Sequence, residues 1–378
     1  MAEQIPVTPA LLTWARERAG WSAADAIERF KNFAEWEEGG AFPTYSQLEQ
    51  LAEALKVPIA VFFFPQPPQV PSIAETFRTL PDTELEKMPS RIRLLLRKAK
   101  AFQLNLGELT GGQNPAKKLI TSDLSFSTKV KIPDMAATVR TYLGVTTAQQ
   151  QEWRDHDTAL KEWRSALVRA GIYVFKDAFK YEEYSGFCLY DETFPIIYVN
   201  NSSTKTRQMF TYFHELAHLL FHTSGIDTIH DRYVAGLVDD AQRIEVLCNS
   251  FASYFLVPDD AFARAAAGHA PTEATAELLA RQFHVSREVI FRRFLDQGSI
   301  DDRQYAAAVQ KWNGQRQAKG KGGNPYWSKL TYLGRDYVSL ALSEYHRNRI
   351  DETQLADYLD TKPKNVGTLE EYYERGNA

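Results

Sequence analysis

The sequence predicts a mostly helical protein with a small β-sheet, an α+β fold in which a bundle of short N-terminal helices, a larger central domain and a helical C-terminal region follow one another. Apolar residues recur at helical spacing through most of the chain. Only residues 172–200 change to short β-branched and aromatic runs separated by polar turns. A chain of 378 residues is also too long for one ordinary core, so two or three domains are expected.

Within residues 1–65, Leu11, Leu12, Ala15 and Ala19 form one apolar stripe that Gly20 ends. Ser22, with Asp25 three residues on, reads as the capping box of a second helix. A third helix carries Phe33 and Trp36, Gly39 and Gly40 break the pattern, and Thr44–Leu55 forms a fourth with Leu48, Leu51, Ala52 and Leu55 on one face. The proline-rich run that starts at Pro65 and ends at Pro71 is stiff, and residues 66–89 are assigned to a linker. The central domain spans 90–312. Helical patterns cover 90–109, 134–144 and 157–170, and strands are expected at 172–175, 186–190 and 195–200. Helices follow at 205–222, 241–256 and, as a pair, within 272–297. Residues 313–325, rich in Gly, Lys, Gln and Asn, form a second linker before the helical region 326–378.

Composition narrows the function classes. With 44% hydrophobic and 24% charged residues the chain is globular, and its net charge of −4 gives no general attraction to nucleic acid or anionic membranes. Two cysteines, Cys188 and Cys248, can form neither a disulfide framework nor a four-thiolate metal site, and a reducing cytoplasmic location is expected. The N-terminus lacks a secretory pattern, and no run approaches the roughly 18 apolar residues of a membrane span.

Chemistry concentrates in His214-Glu215-Leu216-Ala217-His218, an H-E-x-x-H pattern on an expected helix. Residues i and i+4 share a helix face, so the two imidazoles can grip one metal ion, and Glu215 beside them stands where a general base would work on activated water. A catalytic ion needs a third protein ligand. His222 lies eight residues past His214, about 12 Å along the axis, which is out of reach of bonds of about 2 Å. Glu245, on the next helix and set among apolar residues, is the better candidate, with Asn249 one turn on as a holder of a ligand or of the loop. Asp239 and Asp240 are alternative ligands, although they also read as caps of the 241–256 helix. His230 and Tyr233 in the connecting loop are candidates for oxyanion stabilisation or plain surface residues, and Cys248 reads as core filler. Zinc is the default for two imidazoles and a carboxylate, and Mn²⁺ or Fe²⁺ also suits that set.

Residues 195–257, with Arg207, Thr211, the H-E-x-x-H run, Glu245, Asn249 and Ala252, resemble the ImmA/IrrE metallopeptidases, and the likeness extends over about residues 75–300. The resemblance implies a zincin-like domain in which His214, His218 and Glu245 are ligands, Glu215 is the catalytic base, and the activity is limited proteolysis of a transcriptional repressor. Cys248 stands where the family commonly has Ala. In this reading strand 195–200 is the sheet edge on which an extended protein substrate pairs.

Residues 1–65 resemble the helix-turn-helix of the XRE (lambda-repressor-like) family. Lys31 and Asn32 are the candidate DNA contacts. Against them, residues 1–65 hold five basic side chains and nine acidic ones, and Glu35, Glu37 and Glu38 occupy the helix that would enter the groove. DNA binding is therefore disfavoured, and a sensor or protein-docking role is expected. The competing reading is a transcriptional regulator or antitoxin that binds DNA or a toxin and uses the peptidase-like domain as a sensor. A second helix-turn-helix-like stretch, Leu278–Phe294, carries Arg281, Arg287, Arg292 and Arg293 and is expected to serve packing.

Overall fold

The structure, a computed structural model, describes residues 4–55, 57–68, 88–228, 239–313 and 323–376. They form two compact units, residues 1–98 and 99–378. In the first, α1 (Pro9–Ala19), α2 (Ala23–Arg29), α3 (Phe33–Glu37), α4 (Tyr45–Leu55) and a 3-10 turn at Ile59–Phe63 close around Leu11, Leu12, Phe33, Trp36, Leu48, Leu51, Leu55 and Phe62. Local chemistry sets the element ends. Gly20 takes the left-handed conformation, φ 72°, and its amide reaches the last carbonyls of α1. Ser22 and Asp25 exchange the two bonds of a capping box, and Thr44 and Gln47 do the same ahead of α4. Most of the expected linker, residues 69–87, lies outside the described residues.

The boundary between the units falls inside α5 (Ser90–Leu109). The second unit continues with α6 (Ile132–Leu143) and α7 (His156–Arg169), then β1 (Tyr173–Asp177), β2 (Tyr184–Leu189), β3 (Ile196–Asn200), α8 (Lys205–Leu220) and β4 (Ile226–Thr228). Next come α9 (Asp239–Leu256), α10 (Glu273–Phe283), α11 (Arg287–Asp296) and α12 (Asp302–Asn313). The fold is α+β, as the sequence predicts. Short helical turns at Ile120–Asp123, Thr147–Glu152 and Asp259–Ala266 add to the expected elements. In the α10–α11 pair, Arg293 is buried, ion-pairs with Asp259 and lies 3.8 Å from the Tyr254 ring centre, so this arginine serves packing.

Strand order is β1-β3-β2-β4, with β1 parallel to β3 and the other pairs antiparallel. This corrects one expectation: β3 is not an edge. It is paired on both sides, and Ile196, Ile197, Tyr198 and Val199 are all fully buried. A continuous apolar run is what a strand covered on both faces requires, whereas an exposed edge would alternate. The edge next to the H-E-x-x-H helix is the short β4, within the segment expected as a connecting loop.

The C-terminal helices α13 (Pro325–Leu333), α14 (Arg335–His346), α15 (Glu352–Tyr358) and α16 (Val366–Arg375) belong to the second unit. Arg164 of α7 donates to the carbonyls of Val174, Thr331 (2.6 Å) and Tyr332 (3.2 Å), tying α13 to β1. Tyr337 packs edge-on against Phe102 and Phe175. Among the described residues no helix is long and apolar enough to cross a membrane.

Candidate metal centre

Helix α8 starts at Thr204, whose hydroxyl accepts from the Arg207 amide, and runs to Leu220. Its apolar side is packed hard: Phe213 stacks on Phe255 of α9 at 4.0 Å between ring centres and meets Trp163 of α7 edge-on at 4.9 Å. That packing fixes the helix rotation and turns His214, Glu215 and His218 into the interior, where none is more than 1% exposed. His222 lies past the helix end in the left-handed conformation, φ 57°, with its ring against Tyr190. It is no part of the cluster.

His214, His218 and Glu245 of α9 bring one ligand atom each to a common point, and all three side chains are buried. The two Nε2 atoms are 3.2 Å apart, His214 Nε2 is 3.4 Å from Glu245 Oε2, and His218 Nε2 is 3.2 Å from Glu245 Oε1. Tetrahedral ligands at about 2.0–2.1 Å from an ion lie about 3.3 Å from one another. The spacing and the donor set therefore fit a divalent metal ion without rearrangement.

Each imidazole is oriented through its other nitrogen. His214 Nδ1 is 3.1 Å from Asn249 Oδ1, the position expected of Asn249. His218 Nδ1 is 3.3 Å from the Thr223 hydroxyl. That hydroxyl already donates to the His218 carbonyl, so it accepts from Nδ1–H and leaves the Nε2 lone pair free for a metal. Gly225 lies flat against the same ring, where a Cβ would come within 2.6 Å of ring carbons.

The electrostatics are those of a charged pair of opposite signs kept out of water. Burial opposes a charged His214, but Asp227, Glu245 and Glu215 outweigh it and hold its pKa up at about 9. Burial likewise opposes the charged form of Glu245, and His218 and His214 overcome it to hold that carboxylate well below its usual range. Glu215 goes the other way: burial dominates and pushes its pKa far up. Its Oε1 accepts from the Asp227 amide at 3.2 Å, Oε2 is buried without a nitrogen or oxygen partner among the described residues, and the buried Cys188 thiol neighbours the same carboxyl group. A buried polar oxygen served by no stronger partner than a thiol is costly, and water or a substrate group at the cluster would relieve it.

Asp239 and Asp240 begin α9, and His230 and Tyr233 lie outside the described residues. Lys31 and Asn32 are exposed in the turn ahead of α3 in the first unit. Cys248 is fully buried, as is Cys188, and neither is in a disulfide. Asp227, Thr223 and Gly225 had not been singled out. All three come from the segment after α8, whose placement depends on strand pairing that no local pattern announces.

Residues 168–295 match the family model Peptidase_M78, described as IrrE N-terminal-like domain. The match covers about a third of the chain and includes the whole sheet, α8, α9 and every residue of the cluster. This segment is a metallopeptidase-like domain. No curated protein matches the chain.

Proposed function

We propose that the chain is a metal-dependent endopeptidase of regulatory type that cleaves a protein partner, a repressor or a toxin-associated protein. The observation that supports this most directly is the convergence of His214, His218 and Glu245 beside the buried Glu215 carboxyl group, whose Oε2 has no nitrogen or oxygen partner among the described residues. Zinc is the ion we assign, with Mn²⁺ or Fe²⁺ as alternatives for the same ligands. A divalent ion held there supplies a Lewis acid that polarises a carbonyl and makes water acidic. The residues do the rest. The charge of such an ion would favour the ionised form of Glu215 against the burial that raises its pKa. Glu215 would then accept a proton from the attacking water at Oε2 while Oε1 stays anchored to the Asp227 amide, and deliver that proton to the leaving nitrogen. The extended substrate adds to β4, the edge nearest the cluster, and not to β3. Free buried thiols accord with a cytoplasmic setting.

Glu215→Gln tests the assignment. It should keep one metal ion per chain and lower peptide turnover by at least about 1000-fold. Undiminished turnover would remove Glu215 from the mechanism.

For the first unit we propose partner docking or sensing over DNA reading. Lys31 and Asn32 are exposed, but so are Glu28, Glu35 and Glu38 around them, which opposes a phosphate backbone. If promoter binding is lost in Lys31→Ala while Glu215→Gln has no phenotype, the regulator or antitoxin reading replaces the enzyme.

A further inference from the structure

We propose that Asp227, gripped by Arg207 and Thr211, is the positioning residue for Glu215, an inference that rests on the peptidase reading above. Arg207, Thr211 and Glu215 recur every fourth residue on α8, so they form one stripe along the helix. All three close on the same residue of β4. Arg207 Nη2 donates to Asp227 Oδ1 at 2.7 Å, the Thr211 hydroxyl donates to Oδ2 at 2.9 Å, and the Asp227 amide donates to Glu215 Oε1 at 3.2 Å. Asp227 is only 2% exposed, so its charge depends on those two donors.

The sheet is shaped to permit the grip. The β2–β4 register shifts between Tyr184 and Gly186, and at that irregularity the Ser185 hydroxyl accepts from Arg207 Nε at 2.9 Å. Gly186 pairs with Asp227, and a Cβ at Gly186 would come within 2.4 Å of Thr211 Cγ2 and 2.9 Å of the Tyr198 carbonyl oxygen. The helix therefore lies directly on the strand. Two donors hold the Asp227 side chain, the side chain holds the strand, and the strand's amide holds one oxygen of Glu215. The other oxygen is thereby fixed at a single place for proton transfer. No part of this assembly supplies a ligand of the cluster, so its loss should impair turnover without emptying the metal site.

The full chain, loaded with zinc, tests this through turnover of a quenched-fluorescent peptide library, zinc content and hydrogen exchange of segment 223–228. Asp227→Ala should lower kcat on the order of 100-fold, the scale of a 1 Å misplacement, with KM within about twofold and zinc unchanged. Asp227→Asn should recover most of that loss, since its amide can accept from Arg207 and donate to the Thr211 hydroxyl. Thr211→Val, which removes one hydrogen bond, should cost several-fold and serves if Asp227→Ala fails to fold. Wild-type kcat in Asp227→Ala overturns the proposal, as does a parallel fall in zinc, or an Asp227→Asn variant as slow as Asp227→Ala. If the wild-type protein cleaves no peptide, the peptidase reading fails, and exchange still decides the positioning role: faster exchange at 223–228 in Asp227→Ala upholds it, unchanged exchange overturns it.

Discussion

Helix α8 carries two buried polar regions within three turns of each other. Toward its N-terminus, Gln208 and Tyr212 face Lys176 of β1, whose Nζ donates to Gln208 Oε1 at 3.0 Å and lies 5.5 Å from the Tyr212 ring centre. Gln208 in turn donates to the Ser203 carbonyl at 2.8 Å. Burial, aided by Arg164, pushes the Lys176 amine well below the usual lysine range, so the region works against the charge it holds. Toward the C-terminus, His214 and Glu245 hold opposite charges by mutual pairing, Arg207 grips Asp227, and Glu215 Oε2 has no nitrogen or oxygen partner among the described residues. One region disfavours the charge of the single ionisable side chain it buries. The other sustains opposite charges beside a carboxyl oxygen within reach of a ligand, which is what holding a cation and moving a proton require.

The sharpest way to separate the two regions is pH. His214, with its pKa raised to about 9, carries a proton in the metal-free protein that a metal ion must displace. The proton is present without metal and absent with it, so affinity must rise with pH. Zinc affinity should climb about tenfold per pH unit, on the order of 1000-fold from pH 6 to 9, and level off above. Competition with a fluorescent chelator across that range measures it. A flat profile would mean that the carboxylates around His214 do not govern its proton.

A smaller effect probes how the imidazole is held. Gly225→Ala places a Cβ against the His218 ring, which must tilt or push the 223–225 loop away and lose Thr223. Disturbing such an orienting contact typically costs about 10- to 100-fold in metal affinity. Titration of the variant with zinc, followed by calorimetry, should show that loss with the fold retained by circular dichroism. Unchanged affinity would show that the ring needs no backing from the loop.

These contrasts also explain what the sequence could disclose. His214, Glu215 and His218 share a face because helix geometry fixes it, and Glu245 stood out as a carboxylate among apolar neighbours on the next helix. The α+β class followed from the change of period at residues 172–200. Interior and edge were harder. The run Ile196–Val199 carries the signature of a doubly covered strand, whereas its expected place at the sheet edge came with the family resemblance and not from its own pattern. β4 has only three residues, Ile226–Thr228, too few for any period. Asp227, Thr223 and Gly225 acquire their roles from that strand's pairing with β2, so their partners are set by tertiary structure alone. The spacing of Arg207, Thr211 and Glu215 was readable as a stripe, but nothing local said what it gripped.

The smallest expected effect is at Lys176. Replacing this buried amine by an apolar chain of similar length, Lys176→Met, removes one hydrogen bond and leaves Gln208 Oε1 without its donor, but it relieves the burial that works against the amine's charge. These terms oppose each other, so stability should change by no more than about 1–2 kcal/mol, read as a shift of a few degrees in Tm. Zinc content and peptide turnover should stay at the wild-type level, since the Lys176 amine contacts neither ligands nor Glu215. A Lys176→Met protein that folds and binds zinc but no longer turns over peptide would dissolve the distinction between the two regions, because it would make the N-terminal pocket of α8 part of the working site and not a piece of the core.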